Sequence, residues 1–274
     1  MTTLTLERPP IAEEQQTIPD DPYVYGWRDV PHILASGEIT WKRIPLTQED
    51  ILHPRLGDFQ VHTDLHQQLC TYLYYVLVAW LGATPGAVVL NDVRIGWGRQ
   101  GPKPHAPDIA VIFNVRRRRN WSTFSTVAEG TKPALIMEVT SPSTRVVDLV
   151  KKMEEYARVG VPLYVIVDTH GEVLQILGYR LTPAGYVNLP LDEQGRLWLE
   201  PVALSLGAYQ DTLAFYDEAG QPFENYTQTR ARANREAQAR AAEAQARAAE
   251  AQARAAAEAR IRELEAELRR LRGQ

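Results

Sequence analysis

The sequence predicts an α/β fold built on a parallel strand–helix–strand unit and followed by a long C-terminal helix. Three observations carry this. Pro133 to Val139 and Pro162 to Val167 are nearly continuous apolar runs, as strands buried on both faces are. Between them Asp148 to Gly160 carries a helical pattern, which supplies the crossover that parallel neighbours need. From Glu236 to Ala256 the heptad EAQARAA repeats three times, the signature of a long helix.

The 274 residues suffice for one large domain with appendages, and a hydrophobic content of 45% is ordinary for a globular chain. Cys70 is the single cysteine, so no intrachain disulfide forms and a reducing compartment is favoured. The polar first twenty residues lack the apolar core of a signal peptide, and the longest apolar run, about Tyr72 to Ala83, is too short to span a bilayer. A cytoplasmic protein with no membrane partner is expected. The net charge of -4 hides an asymmetry: from Ala231 onward there are 10 Arg and 7 Glu, leaving 20 basic and 27 acidic residues before it. An acidic body is not the footprint of a strong nonspecific nucleic-acid binder.

In chain order, residues 1–20 are polar and aperiodic, and disorder is expected there. Asp21 to Asp58, rich in proline and aromatics, reads as an N-terminal wrap. Val61 to Leu81 reads as a helix with a stripe of Leu65, Leu69, Leu73, Val76 and Trp80. His62 and His66 lie one turn apart on it, a spacing that could bind a metal, although two partly exposed helix histidines are the stronger reading. Ala87 to Trp97 reads as one strand and Pro107 to Phe113 as another. The run Arg116, Arg117, Arg118, Arg119 beside Trp121 falls in a loop. It suits phosphate contact and stacking on nucleic acid, or a solvated charge run. Val173 to about Leu206 reads as a flanking antiparallel extension. In the tail, Ile261, Leu264, Leu268 and Leu271 follow the alanine heptads at three-four-three spacing. They are expected to support a coiled coil, with self-association through the C-terminal helix.

Two carboxylates stand at apolar strand ends. Asp108 opens the strand Ile109 to Ile112, and Glu138 closes its own. A carboxylate in such a place is costly unless paired, hydrated or bound to a cation. Adjacent strands would bring the two together, where they repel without a cation or a proton between them. Advancing about 100° per residue from Asp148, Leu149, Val150, Met153, Tyr156 and Ala157 share a sheet-facing arc. Lys152 falls at its border and Lys151 in solvent. Asp148, Lys152 and Tyr156 stack along one edge, so Lys152 can reach over a strand end while its stem packs. Mg²⁺ suits the carboxylates, being hard and oxygen-seeking, with Mn²⁺ as a substitute and the Val139 carbonyl as a further ligand. Such a centre polarises a phosphate and activates water, with Lys152 stabilising charge. The alternative is a Glu138–Lys152 ion pair that merely fixes helix to sheet.

The block from Pro107-Asp108 through Glu138-Val139-Thr140-Ser141-Pro142-Ser143-Thr144-Arg145 to Asp148, Lys152, Tyr156, Gly160-Val161-Pro162 and Val167-Asp168 resembles the putative restriction endonuclease family of bacterial chains within the PD-(D/E)XK nuclease superfamily. The resemblance covers roughly residues 22–206. It implies a restriction-endonuclease-like mixed sheet flanked by helices over residues 21–215, with the coiled helix of 230–272 as an appendage. It implies a Mg²⁺-dependent DNA endonuclease whose Asp108 and Glu138 hold the metal and whose Asp108, Glu138 and Lys152 form the catalytic set. Thr140 stands where the superfamily's usual lysine would be, and Lys152 on the helix takes its place. Two alternatives stay open at this point: a nuclease fold that binds nucleic acid or a partner without cutting, and an interaction protein that works through its tail.

Overall fold

The computed structural model describes residues 22–60, 62–140, 145–169, 174–210 and 212–273. The expected disorder of residues 1–20 and the Ser141 to Thr144 part of the motif lie outside the described residues. Strands β1 (Trp27–Ile33) and β2 (Ile39–Pro45) form an antiparallel hairpin, followed by the short α1 (Gln48–Leu52) and the long α2 (Asp64–Leu81). Then come β3 (Val88–Asn91), β4 (Arg94–Gly96), β5 (Ile109–Ile112), β6 (Thr123–Ser125), α3 (Thr126–Glu129) and β7 (Pro133–Val139). A π-helical turn (Val147–Lys152) runs into α4 (Met153–Val159). After it follow β8 (Leu163–Asp168), β9 (Gln175–Thr182), β10 (Gly185–Leu189), β11 (Leu197–Leu199), β12 (Leu204–Tyr209), β13 (Thr212–Tyr216) and α5 (Tyr226–Arg272).

The fold is mixed α/β. The main sheet has six strands in the order β10-β9-β8-β7-β5-β3. The two apolar runs sit in its middle as β7 and β8, paired in parallel with Glu138 opposite Ile166. The sheet's other pairings are antiparallel. Both central strands are fully or almost fully buried along their length, which is why they alternate so little. Gly160 ends α4 in a left-handed conformation (φ 75), the C-cap that favours glycine. Side chains alternate across the sheet. Ala110, Ile112, Ile136, Tyr164 and Ile166 pack on one face with Tyr156 of α4. Glu138, two residues after Ile136, therefore points to the face that α4 covers.

α2 lies against β3, β5 and β7. It buries His66, Leu69, Cys70, Leu73, Leu77 and Leu81, while Leu65 and Trp80 of the expected stripe are exposed. The line of contact follows four-residue spacing through Leu69, Leu73 and Leu77, and this turns His66 inward. Trp80 is retained at the margin by its indole N–H, which donates to the Val202 carbonyl at 2.7 Å. β11, β12 and β13 form a separate three-stranded sheet. It is seated on β9 where Leu197 covers Gly178; a Cβ on that glycine would meet Leu197 Cδ1 at 2.5 Å.

The strand expected over 87–97 is two strands. Asp92 takes a left-handed backbone (φ 51) and turns the chain out of the main sheet. Beyond it β4 pairs in parallel with β6 instead. Asx residues tolerate this conformation, so Asn91-Asp92 was the turn signal inside an otherwise strand-like run. The chain divides after Pro222 into two compact units. The second is α5, one continuous helix of 47 residues opened by a reciprocal Asn225–Gln228 capping box, with no buried residue. Ile261, Leu264, Leu268 and Leu271 are all exposed on it. No described helix is long and apolar enough to cross a membrane.

Candidate active site

Asp108, Glu138 and Lys152 meet at one end of the sheet. The register that sets Ile109 against Met137 puts Asp108, just before β5, beside the last residues of β7. Asp108 Oδ2 accepts the Val139 N–H at 2.7 Å, and the Asp108 N–H donates to Glu138 Oε2 at 3.4 Å. A strand residue's N–H and C=O point the same way, so the Val139 carbonyl turns toward the Asp108 side as well. Among the described residues, the hydrogen bonds and the ion pair of the Asp108 carboxylate all use Oδ2, and Oδ1 is left for a ligand or water.

Glu138 is 1% exposed and Lys152 6%. Lys152 Nζ lies 2.9 Å from Glu138 Oε2 and 2.9 Å from Asp148 Oδ1. The Tyr156 hydroxyl donates to Glu138 Oε1 at 2.8 Å, and Tyr164 donates to the Asp148 carbonyl at 2.9 Å. Burial keeps both tyrosines protonated, well above their ordinary range. Lys152 was expected at the border of the buried arc. It lies at the centre, because the helix begins with a π turn whose buried residues are Val147, Asp148 and Lys152. Leu149, Val150, Met153 and Ala157 are only partly buried. The expected edge of Asp148, Lys152 and Tyr156 is therefore the innermost line of the helix.

Carboxyl groups outnumber ammonium groups among the described residues of the site. Three carboxyl groups, Asp108, Glu138 and Asp148, surround one ammonium. Burial holds the Glu138 carboxyl above its ordinary range; Lys152 pulls it down while Asp108 and Asp148 push it up. Burial would raise Asp108 as well, but His66, Lys152 and the Val139 N–H together hold it below the usual carboxylate range. Burial works against the Lys152 ammonium, and the three carboxylates outweigh it and keep it charged. One carboxyl held below its ordinary range beside another held above it is a pattern of acid–base sites. It also leaves room for a cation to replace a proton.

Thr140, where a lysine would be usual, is fully buried and structural. Its hydroxyl donates to Asp168 Oδ1 at 2.8 Å and accepts the Thr169 N–H at 3.1 Å. Arg145 holds the other Asp168 oxygen at 2.8 Å. The position thus ties the end of β7 to the end of β8.

Among the described residues, no hydrogen bond or ion pair joins Arg116, Arg117, Arg118 or Arg119 to Asp108, Glu138 or Lys152; Arg119 lies 3.9 Å from Glu129. The four arginines are exposed and follow the far end of β5, roughly 13 Å along a four-residue strand from Asp108. The cations nearer the centre were not singled out from the sequence. A cleft of about 400 Å³ is lined by Arg55, Arg94, His62, Asp92 and Ser122, among others. Arg94 Nε is buried without a hydrogen-bond partner among the described residues, and Asp92 in the same lining has its carboxyl pushed up to about 6, first by desolvation and then by Asp108.

His66 was read with His62 as a partly exposed helix histidine in preference to a metal ligand, and the helix was expected to begin at Val61. The helix begins at Asp64, capped by Thr63, whose hydroxyl accepts the His66 N–H. His62 precedes the cap and stacks on the His66 ring with centroids 4.3 Å apart. His66 is 4% exposed, and its Nε2 lies 3.2 Å from Asp108 Oδ2. The signal was present in the sequence: 66, 69, 73 and 77 form one line on a helix.

A protein-family model described as "Putative restriction endonuclease" (Uma2) matches residues 57–213. That span contains the Asp108, Glu138 and Lys152 set. No curated protein matches the chain. Among solved structures, a chain described as a putative nuclease belonging to DUF820 from Anabaena variabilis ATCC 29413 is similar, with 16% identity and a TM-score of 0.40. The match covers 64% of this chain and 83% of that one.

Proposed function

The chain belongs to the Uma2 family of putative restriction endonucleases, and on that premise we propose that it is a metal-dependent endonuclease hydrolysing phosphodiester bonds in DNA. The observation that supports this most is the convergence of Asp108, Glu138 and Lys152 at the end of the β5–β7 pair. The residues fit a divalent cation. The cluster gathers three carboxyl groups around one ammonium among the described residues, Asp108 Oδ1 is unengaged among them, and the Val139 carbonyl faces the same side. Mg²⁺ is the ion this oxygen set favours, with Mn²⁺ able to replace it. Asp108, Val139 and Glu138 would hold it.

A cation held there supplies Lewis acidity to a phosphate oxygen and lowers the pKa of bound water. The chain's own groups do the rest. Asp108, kept ionised by His66 and Lys152, anchors the charge. Lys152, fixed by Glu138 and Asp148, offers an ammonium to the water or to the charge that builds on phosphorus. Tyr156 holds the Glu138 carboxyl in one orientation, and Asp148 shares in holding Lys152. Arg55 and Arg94 in the adjoining cleft are placed to grip the nucleic-acid backbone. Arg116, Arg117, Arg118 and Arg119 would meet the duplex only away from the scissile phosphate. The exposed Ile261, Leu264, Leu268 and Leu271 of α5 would pair with a second copy of this chain, which would suit a cut in each strand.

The test is conversion of supercoiled plasmid to the open-circular form by the full chain with Mg²⁺ or Mn²⁺. Wild type should nick and Glu138→Ala should not. A pure wild-type preparation inert on DNA with both ions, while retaining DNA binding that survives Glu138→Ala, would replace this reading with a non-cutting nucleic-acid-binding fold.

A further inference from the structure

His66 is buried, rigidly mounted and aimed at Asp108, and none of the steps above uses it as a ligand. Its position on α2 is fixed from three sides. Thr63 caps its backbone N–H, the His62 ring stacks on it, and Cys70 Sγ lies 3.7 Å from its Nδ1. Cys70 Sγ lies almost as close to Nε2, at 3.8 Å, and Nε2 stands 3.2 Å from Asp108 Oδ2, where a ring proton that bridges the two can give way to a cation. Two lone pairs at that separation repel unless a proton or a cation lies between them. In an octahedral sphere with bonds of about 2.1 Å, adjacent ligand atoms stand about 3 Å apart, so this separation suits two neighbouring ligands of one ion. Glu138, the other carboxyl assigned to the ion above, has both oxygens shared with Tyr156, Lys152 and the Asp108 N–H, so His66 would add a donor already turned toward Asp108. Among the described residues, His66, Cys70 and Asp108 form a group whose ligand atoms all lie within 4.8 Å of one another.

We propose that His66 Nε2 is a direct ligand of the divalent cation held by Asp108, so that the metal centre is formed between α2 and the β5–β7 strand ends. This rests on the metal-dependent reading above and adds to it a nitrogen ligand from a helix outside the motif. An imidazole in the sphere shifts preference from Mg²⁺ toward Mn²⁺ and later first-row ions. It also makes the entry of α2 part of the metal site, because Thr63 and His62 set the ring's direction.

The experiment is Mn²⁺ binding to the full chain, read by calorimetry and by pulsed electron paramagnetic resonance for the nitrogen-14 coupling of a bound imidazole. Wild type, His66→Ala, His66→Gln, His62→Ala and Asp108→Ala are compared after circular dichroism confirms the fold. The expected result is a nitrogen coupling in wild type and His62→Ala that is lost in both His66 variants. Mn²⁺ affinity should fall at least tenfold in those variants, and Mg²⁺ affinity by a smaller factor. Coupling that persists without His66, or wild-type metal bound through Asp108 with no nitrogen coupling, would overturn the proposal while leaving the metal-dependent reading intact. Should the His66 variants not fold, the wild-type spectrum decides alone. Binding that is undiminished in Asp108→Ala, or absent in wild type, would remove both.

Discussion

Removing Lys152 and removing Glu138 should have unequal consequences for stability, although both belong to the same buried contact. In Lys152→Met a side chain of similar length keeps the packing but leaves Glu138 and Asp148 without their cation. Their side chains are 1% and 2% exposed, so solvent does not take its place. Each ion-pair contact at 2.9 Å corresponds to roughly 6 kcal/mol of gross attraction at an effective dielectric of about 20. Desolvation offsets much of this, and breaking a buried pair from one side costs about 3–5 kcal/mol. Glu138→Gln is different. The folded state already holds this carboxyl above its ordinary range, and the amide oxygen still accepts from Tyr156. Repulsion from Asp108 and Asp148 disappears, so the change should cost less than about 1 kcal/mol. The sign with pH follows: a carboxyl raised on folding favours the folded state at low pH, and that contribution is lost as pH rises from the ordinary carboxylate range through the raised value. The assay is urea unfolding of metal-free protein at pH 7.5. Equal losses of about 3 kcal/mol or more in both variants would refute the reasoning. They would mean a balanced clamp between helix and sheet rather than a cluster in which carboxyl groups outnumber the ammonium.

Other outcomes follow from neighbouring contacts. His105 is fully buried, accepts the Trp97 indole N–H at 2.7 Å on Nδ1, and sets Nε2 2.7 Å from Glu155. Burial pushes its pKa down to about 3, below the unfolded value, so its contribution is present above about pH 6.5 and lost as pH falls. Wild type should lose about 2 kcal/mol more than His105→Gln between pH 7 and pH 5, measured by denaturant unfolding; parallel pH profiles would contradict this. Tyr156→Phe should cost about 1–3 kcal/mol by leaving Glu138 Oε1 buried without its donor, and an unchanged unfolding midpoint would show that hydroxyl to be idle. If α5 pairs two copies as proposed, truncation after Thr229 should leave the melting temperature of the body unchanged and give a monomer where the full chain is a dimer, by light scattering; the same number of chains per particle before and after would remove self-association from α5.

The centre of this fold was legible because its chemistry is local. β7 and β8 are uninterrupted apolar runs, the crossover helix is amphipathic, and a carboxylate at a strand end is conspicuous against such neighbours. Asp108, Glu138 and Lys152, which the fold brings together, were therefore singled out from residue type and spacing together with a motif resemblance. The π turn was not legible, since Val147 to Lys152 has nothing to separate it from an ordinary helical start, and it moved Lys152 from the border to the interior. His66 and Arg94 were missed for another reason. Each joins the site through long-range packing: α2 against β5 and β7, and the chain reversal at Asp92. A sequence shows a helix face or a turn residue, but not which distant strand it will meet. The arginine run drew attention by composition alone, and composition carries no information about which end of β5 it follows.

The most direct measurement is plasmid nicking by wild type and Asp108→Ala from matched preparations, with Mn²⁺ titrated into both and chelator as the reference. Cutting by wild type that requires the ion, and is lost together with tight metal binding in Asp108→Ala, is the predicted result. Cutting that survives in Asp108→Ala, or proceeds in excess chelator, would contradict a metal-dependent centre at the mouth of β5.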